Sequence, residues 1–285
     1  MEPYLQSLVD YYNQKDLIDN ILRALERAGR DIRNLTREDI ARLDEFHIRG
    51  REATRELAQM AGLKEDLQVL DLGCGVGGPA RTLAAEFHCR VVGIDLAAEY
   101  CRAATVLTER VGLQDRVTFR QGDLTDLPFA DSSFDVVWSQ HTIMNVRDKG
   151  RMIMEAKRVL RRGGRIALHE VFAGSRSPIY FPVPWASDPS INFLCSFEEF
   201  RNLLNAKGFE EIERKDDSSV SLEWFRGIVS RMAARPKDAP PALSTNLLMG
   251  ETTEEKGKNF VRNLEEGRIK VFQTVWELSA AEVGK

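Results

Sequence analysis

Val69-Leu70-Asp71-Leu72-Gly73-Cys74-Gly75-Val76-Gly77-Gly78 is the stretch on which the reading of this chain turns. Gln68 to Leu72 has the length and apolar, partly β-branched character of a buried strand, and it runs directly into glycines. Glycine lets the backbone turn sharply and come close to a ligand, and the helix expected from Pro79 to Phe87 offers unpaired N–H groups at its start. Such a turn can hold a phosphate or, equally, the carboxylate of an amino-acid-like ligand. The spacing leaves both open. Gly73, Gly75 and Gly78 satisfy the dinucleotide pattern G-x-G-x-x-G, whereas Gly73, Gly75 and Gly77 satisfy G-x-G-x-G.

Outward from that turn the chain alternates. Strands are expected at Arg90–Asp95, Val117–Gln121 and Phe134–Trp138, with another opening at Gly164–Leu168. Helices are expected at Ala98–Val111 and Asp148–Leu160. Alternating strands and helices predict a parallel sheet covered on both faces, joined by right-handed crossovers. Ahead of the sheet, residues 4–28 carry apolar side chains at helical spacing, Thr36 with Asp39 has the form of a capping box, and a further helix is expected over residues 50–60. Beyond it, Pro178, Pro182, Pro184 and Pro189 punctuate a loop at 174–192 whose aromatics look exposed and which we read as a lid. Ser196 caps a helix to Ala206, Phe209–Arg214 is a sixth strand, and Val220–Ala234 is helical. A proline-rich linker at 235–250, a helix from Thr252/Thr253 to Glu266 and a seventh strand at Arg268–Trp276 complete the order. The expected architecture is α/β: a Rossmann-like, seven-stranded, mostly parallel sheet with an N-terminal helical cap and a helical insertion before the last strand. We expect one domain over 1–285, made of a cap (1–66), a cofactor-binding core (67–173), lid and helical insertions around strand six (174–267), and the last strand with a tail (268–285).

Composition excludes several classes. The 285 residues hold 40 Lys+Arg against 44 Asp+Glu, a net charge of −4, which disfavours nucleic acid as a partner. No apolar run approaches the roughly 18 residues a spanning helix needs, so no membrane association is expected. Met1-Glu2-Pro3-Tyr4 is not a basic start ahead of an apolar core, so we expect no signal peptide and a cytoplasmic protein. Cys74, Cys89, Cys101 and Cys195 form no C-x-x-C pair and read as reduced thiols. His47, His88, His141 and His169 are scattered, with no H-E-x-x-H spacing, and the expectation is that no metal is bound.

Three acids resolve the ambiguity of the glycine turn. Asp71 ends strand one two residues before Gly73, where it would repel a pyrophosphate but attract an ammonium. Asp95 ends strand two, 24 residues after Asp71, where an acid can accept both hydroxyls of a ribose. Asp123 follows strand three, placed to accept from an exocyclic adenine amine. An ammonium, a ribose and an adenine without a pyrophosphate describe S-adenosylmethionine.

With those residues in hand, the chain resembles the class I S-adenosylmethionine-dependent methyltransferases of the small-molecule branch. Val69 to Gly77 is similar to their motif I, Gly93-Ile94-Asp95-Leu96 to the acidic loop that follows it, and Gly122 to Phe129 with Phe134 to Ser139 to motifs II and III. Leu160 to Arg165 is similar to the turn before strand five, so the resemblance covers residues 67–172. Asp10-Tyr11-Tyr12 and Phe46-His47-Ile48-Arg49-Gly50 look most like the sarcosine/dimethylglycine and phosphoethanolamine N-methyltransferases and their natural-product relatives. The resemblance implies that Gly73, Gly75 and Gly77 shape the turn around the methionine part, that Asp95 holds the ribose, that Leu96 packs on adenine, and that Asp123 and Leu124 contact its edge. It places Ser139, Gln140 and His141 beside the sulfonium and the acceptor, and closes His47 to Gly50 over the cofactor.

Because the cofactor is already activated, the chain's task is mainly alignment in a water-poor pocket. The acceptor is expected to touch Tyr12, His141 and Asn145. Where a base is needed, His141, His47 and Glu170 are the candidates. His169 and Glu170 are adjacent on strand five, so only one of them can face the acceptor. No base stands out by motif, and this favours an amine nitrogen as the atom methylated. The alternative is an O- or C-methyltransferase of a phenol, quinone or isoprenoid-type metabolite. Rival classes are a nicotinamide-dependent oxidoreductase, which would need a pyrophosphate beside Asp71, and a non-catalytic cofactor-binding domain. The partners expected are a small-molecule methyl acceptor and, for assembly, a second copy in a homodimer.

Overall fold

The computed structural model describes residues 3–12, 14–45, 47–234, 248 and 252–279. Phe46, all of the expected 235–250 linker except Leu248, and the tail from 280 onward lie outside the described residues.

Seven strands form one sheet in the order β3-β2-β1-β4-β5-β7-β6. They are β1 (Gln68–Leu72), β2 (Arg90–Asp95), β3 (Val117–Gln121), β4 (Phe134–Gln140), β5 (Leu160–Ala173), β6 (Phe209–Asp216) and β7 (Ile269–Leu278). β1 runs parallel to both neighbours, with Val69 beside Val91 of β2 and Val136 of β4. Only β7 is antiparallel, to β5 and β6. The Rossmann-like, mostly parallel expectation therefore holds. Strand five is longer than expected because Leu160 already pairs with Phe134 and Ala173 still pairs with Ile269.

After β3 the chain crosses over β1 to make β4, so the strand order reverses between β1 and β4. The crevice beyond the carboxyl ends of those two strands is where an open α/β sheet holds its ligand. Alternation along β5 sends its side chains to opposite faces. Leu168 and Phe172 join the core under one set of helices, and Ala167 joins Val69, Trp138 and Val275 on the other.

The N-terminal run at 4–28 is two helices, not one: α1 (Pro3–Tyr12) and α2 (Leu17–Arg27), with Asp16 at φ 58° between them. α2 buries Leu17, Ile18, Ile21 and Leu25 against Tyr100 and Leu107 of the helix after β2. α3 (Arg37–Asp44) opens on the expected capping box, Thr36 with Asp39. α4 (Gly50–Met60) lays Ala53, Thr54, Leu57 and Ala58 on the core. Further helices among the described residues are α5 (Gly78–Glu86), α6 (Ala98–Arg110), α7 (Lys149–Val159), α8 (Phe197–Ala206), α9 (Ser218–Ala233) and α10 (Thr253–Glu265). Thr252 precedes α10 without a side-chain cap bond.

The 174–192 loop departs from the expectation of exposed aromatics. Trp185 is 2% exposed, edge-on to Phe260 of α10, and its indole N–H donates to Asn192 Oδ1 at 2.8 Å. Aromatic bodies of that size contribute most when buried, and the apolar face of α10 supplies the burial. No helix among the described residues is long and apolar enough to cross a membrane.

Candidate active site

A cavity of about 410 Å³ opens at the reversal point between β1 and β4. Its floor at one end is the glycine turn. Gly73, Gly75 and Gly77 all sit in the left-handed region, at φ 68°, 52° and 82°. A Cβ on Gly73 would stand 2.3 Å from Thr142 Oγ1, so this glycine lets the turn after β1 touch the turn after β4. Gly78 serves differently: a Cβ there would stand 2.0 Å from the Asp44 carbonyl oxygen, at the seam where α3 lies against α5. The two overlapping glycine patterns thus separate into three residues that shape the turn and one that admits the cap. Gly73 and Gly75 line the cavity, while Gly77 faces Phe119 and Arg81.

The three strand-tip acids are placed as follows. Asp95 lines the cavity, with Oδ2 accepting from Gly75 N and Oδ1 from Ala97 N, both at 2.9 Å. Burial raises its pKa against those hydrogen bonds. Asp71 lies behind the turn, 2% exposed, and its Oδ2 has no hydrogen-bond partner among the described residues. Burial, then the charge of Asp95, pushes its pKa well up. A buried carboxylate oxygen without a donor is costly, and a cation held at the turn would relieve it. Asp123 lines the cavity beside Leu124 and Leu96, its Oδ1 accepting from Thr125 N and Oγ1 at 2.8 Å. An amino-acid-like cation, a ribose and an adenine fit this donor and acceptor set, and Arg81, whose guanidinium reaches the turn, is engaged by the Val76 carbonyl at 2.7 Å and by Asp44 at 3.0 Å.

The matching family model decides between the readings: residues 70–168 fit a methyltransferase domain. The chain carries a methyltransferase domain. The orphaned Asp71 oxygen and the Asp95 carboxylate suit S-adenosylmethionine as the ligand of such a domain. The chain is 29% identical over 213 residues to the sarcosine/dimethylglycine N-methyltransferase of Halorhodospira halochloris, covering 74% of this chain and 75% of that one. It is 28% identical to the chloroplastic tocopherol O-methyltransferase of Arabidopsis thaliana, covering 65% and 59%. Among solved structures, geranyl diphosphate C-methyltransferase from Streptomyces coelicolor A3(2) superposes with a TM-score of 0.71 at 18% identity, covering 97% and 98%. The chain spans only about half the length of several curated relatives it matches.

The other end of the methyltransferase-domain cavity is built from the N-terminal helices, the 174–192 loop and α10. α1 contributes Leu8 and Tyr11, the 174–192 loop Trp185, and α10 Phe260 and Lys256. Tyr11 donates to the Pro184 carbonyl at 3.0 Å, and Lys256 Nζ lies 4.9 Å from the Tyr11 ring centre. Tyr12 and Asn145 both line the cavity, and they hold each other: Tyr12 Oη donates to Asn145 Oδ1 at 2.8 Å. Asn145 Nδ2 donates to the carbonyls of Trp185 and Ile191, tying α1, the turn after β4 and the 174–192 loop together.

Between the two ends lie three histidines. Alternation places His169 on the Gln140 face of the sheet and Glu170 on the other, as the sequence required. His141 follows β4 at φ 57°, uncommon for a side-chain-bearing residue, and its N–H donates to the His169 carbonyl at 2.9 Å. Ring centres are 4.6 Å apart for His141–His169, 6.2 Å for His47–His141 and 6.4 Å for His47–His169. Burial, then the neighbouring His169 and His47, holds the His141 pKa well below its ordinary value, so the ring is neutral. His47 and His141 line the cavity, and His169 lies directly behind them, fully buried. Gln140 also lines the cavity, its Oε1 accepting from Trp138 Nε1 at 3.0 Å and Thr54 Oγ1 at 3.2 Å.

Glu170 does not line the cavity. Its Oε1 accepts from Ser139 Oγ at 2.6 Å and its Oε2 from Thr142 N at 2.9 Å, so it anchors the turn that carries His141. Burial raises its pKa to about 7 against those bonds. Several contributors escaped the sequence reading. Glu45 lies 3.3 Å from His47 Nε2, and Asp217 lies 3.4 Å from His169 Nε2. Arg49, which enters α4 at φ 63°, holds Asp217 through Nη1 at 2.8 Å and Glu56 at 2.7 Å. These partners are far apart in sequence and carry no motif. Asp216 and Asp217 are adjacent in sequence, yet only Asp217 is drawn to His169 of β5.

Proposed function

We propose that the protein is a methyltransferase that uses S-adenosylmethionine to methylate an oxygen or an acidic carbon of a small, mainly apolar molecule. The observation that carries this reading is the neutral imidazole of His141 facing a chamber walled by tyrosine, leucine, tryptophan and phenylalanine. S-adenosylmethionine supplies a methyl group on a sulfonium that leaves with the carbon–sulfur electron pair, so the chain has only to align the acceptor, take its proton and exclude water.

Asp95 and Leu96 would hold the ribose and adenine, with Asp123 and Leu124 at the adenine edge. Gly73, Gly75, Gly77, Asp71 and Gln140 would shape the methionine end. His141 would accept the acceptor's proton on a ring nitrogen. A neutral imidazole of depressed pKa suits an already acidic X–H, such as a phenol or an enol, better than an aliphatic alcohol. His47 and Glu170 would position His141. Tyr12 and Asn145 would bound the acceptor while bracing the lid. A base inside the chamber favours oxygen or carbon over the amine nitrogen that the sequence alone suggested, since an amine needs only its lone pair exposed.

The test is a panel of acceptors with methyl-labelled cofactor. Phenols, enolisable dicarbonyls and hydroxylated apolar metabolites are expected to be labelled, and glycine, sarcosine and phosphoethanolamine are not. Labelling confined to the amines overturns the acceptor class. His141→Asn is expected to lower kcat roughly 10²-fold or more while the S-adenosylhomocysteine Kd stays within threefold.

A further inference from the structure

We propose that His47, His141 and His169 together bind one divalent cation of the zinc, cobalt and iron(II) class, with an open coordination position facing the acceptor chamber. One ring nitrogen from each of the three lies within 4.8 Å of the others. Three imidazoles with an open position form the ligand set of a catalytic site for such ions, whereas magnesium and calcium take oxygen ligands. A tetrahedral ion with metal–nitrogen bonds of about 2.1 Å would set the nitrogens about 3.4 Å apart, so the rings would close by about an ångström.

Four further features point the same way. Both ring nitrogens of His141, and Nδ1 of His169, are buried without a hydrogen-bond partner among the described residues. A satisfied core histidine would have found one. Nε2 of His47 and Nε2 of His169 each lie beside a carboxylate oxygen, of Glu45 at 3.3 Å and Asp217 at 3.4 Å. The carboxylate–histidine–metal relay has this form, and it leaves Nδ1 of His169 for the ion; Nδ1 of His47 lies 3.2 Å from the Ile48 carbonyl and 3.4 Å from Gln140 Nε2, contacts it would exchange for the ion. His141 is held in the left-handed region, where strain persists only when its surroundings impose it. Finally, the three come from the cap, the turn after β4 and β5 itself, so an ion here would draw the cap onto the sheet beside the chamber.

The ion would act on the acceptor by coordinating its oxygen, lowering the oxygen's pKa and releasing its proton to solvent before the oxygen or the adjoining carbon forms the new bond to the methyl group. In the metal-loaded protein His141 is thus a ligand, and the proton it takes in the metal-free reading is lost through the ion instead. Metal binding itself does not depend on the proposed acceptor class. Only this role rests on it.

The experiment uses the full chain, freed of metal by chelation and titrated with cobalt(II) chloride. Visible absorption and metal content after gel filtration are the readouts. One cobalt per chain is expected, with the d–d bands of a low-coordinate nitrogen site and no thiolate charge-transfer band, which sets the four cysteines aside. His141→Ala and His169→Ala are each expected to weaken binding ~100-fold or more. His88→Ala, the one histidine outside the cluster, leaves it unchanged. S-adenosylhomocysteine binding by each variant reports that it is folded, and His141→Ala, at the cavity wall, decides the matter if His169→Ala does not fold. No stoichiometric cobalt up to millimolar concentration, or binding that survives His141→Ala, overturns the site. Cobalt binding without labelling of any oxygen or carbon acceptor leaves the site standing and overturns the acceptor reading.

Discussion

The two ends of the cavity are built on different principles. At the cofactor end, Asp95 and the Gly73–Gly77 turn occupy strand tips, and Asp95 accepts from a backbone N–H only two residues away as well as from Gly75 N. At the acceptor end, each wall needs three or more distant segments to meet: Tyr12 reaches Asn145, which reaches Trp185. A site made of local turns tolerates change elsewhere. A site made of long-range packing stands or falls with the cap and lid, so the two ends should respond separately to substitution.

The largest expected effect is at the 174–192 loop. Trp185→Ala removes a fully packed indole and its bond to Asn192, and it should cost ~3–5 kcal/mol of stability by denaturant titration. The acceptor KM should rise steeply while the S-adenosylhomocysteine Kd changes less than threefold. A matched loss of both would show that the ends are one unit. Next comes Asp95→Ala, which should weaken S-adenosylhomocysteine binding by ~1.5–3 kcal/mol, roughly 10- to 150-fold in Kd by calorimetry, through lost charge-assisted hydrogen bonds. Unchanged affinity there would remove the ribose assignment. The smallest effect is expected for Tyr12→Phe, which deletes the 2.8 Å bond to Asn145 and should cost ~1 kcal/mol. Its signature is a few-fold rise in acceptor KM with kcat and cofactor affinity retained. A cofactor defect in this variant would place Tyr12 at the other end.

The expected strands of the core lie within a few residues of the observed ones, because each is a short apolar run bounded by a glycine or an acid. Thr36 and Ser196 were equally readable as caps, since a capping box is confined to four residues. The N-terminal run was read as one helical pattern because Tyr12 and Leu17 are both apolar, and nothing in that periodicity registers the break at Asp16. Trp185 looked exposed because the prolines around it describe a loop, while the surface that buries it belongs to α10, about 70 residues further on.

The amino-acid sequence by itself determined the alternating strands and helices, the glycine turn and the acids at the tips of β1, β2 and β3, because each depends on backbone geometry within a few residues. Only the tertiary structure decided that His47, His141 and His169 converge, that Glu170 turns away from the chamber, and that Trp185 closes it. Those outcomes depend on which face of a strand meets which helix, and side chains 28 and 94 residues from His141 have no local signal of their meeting.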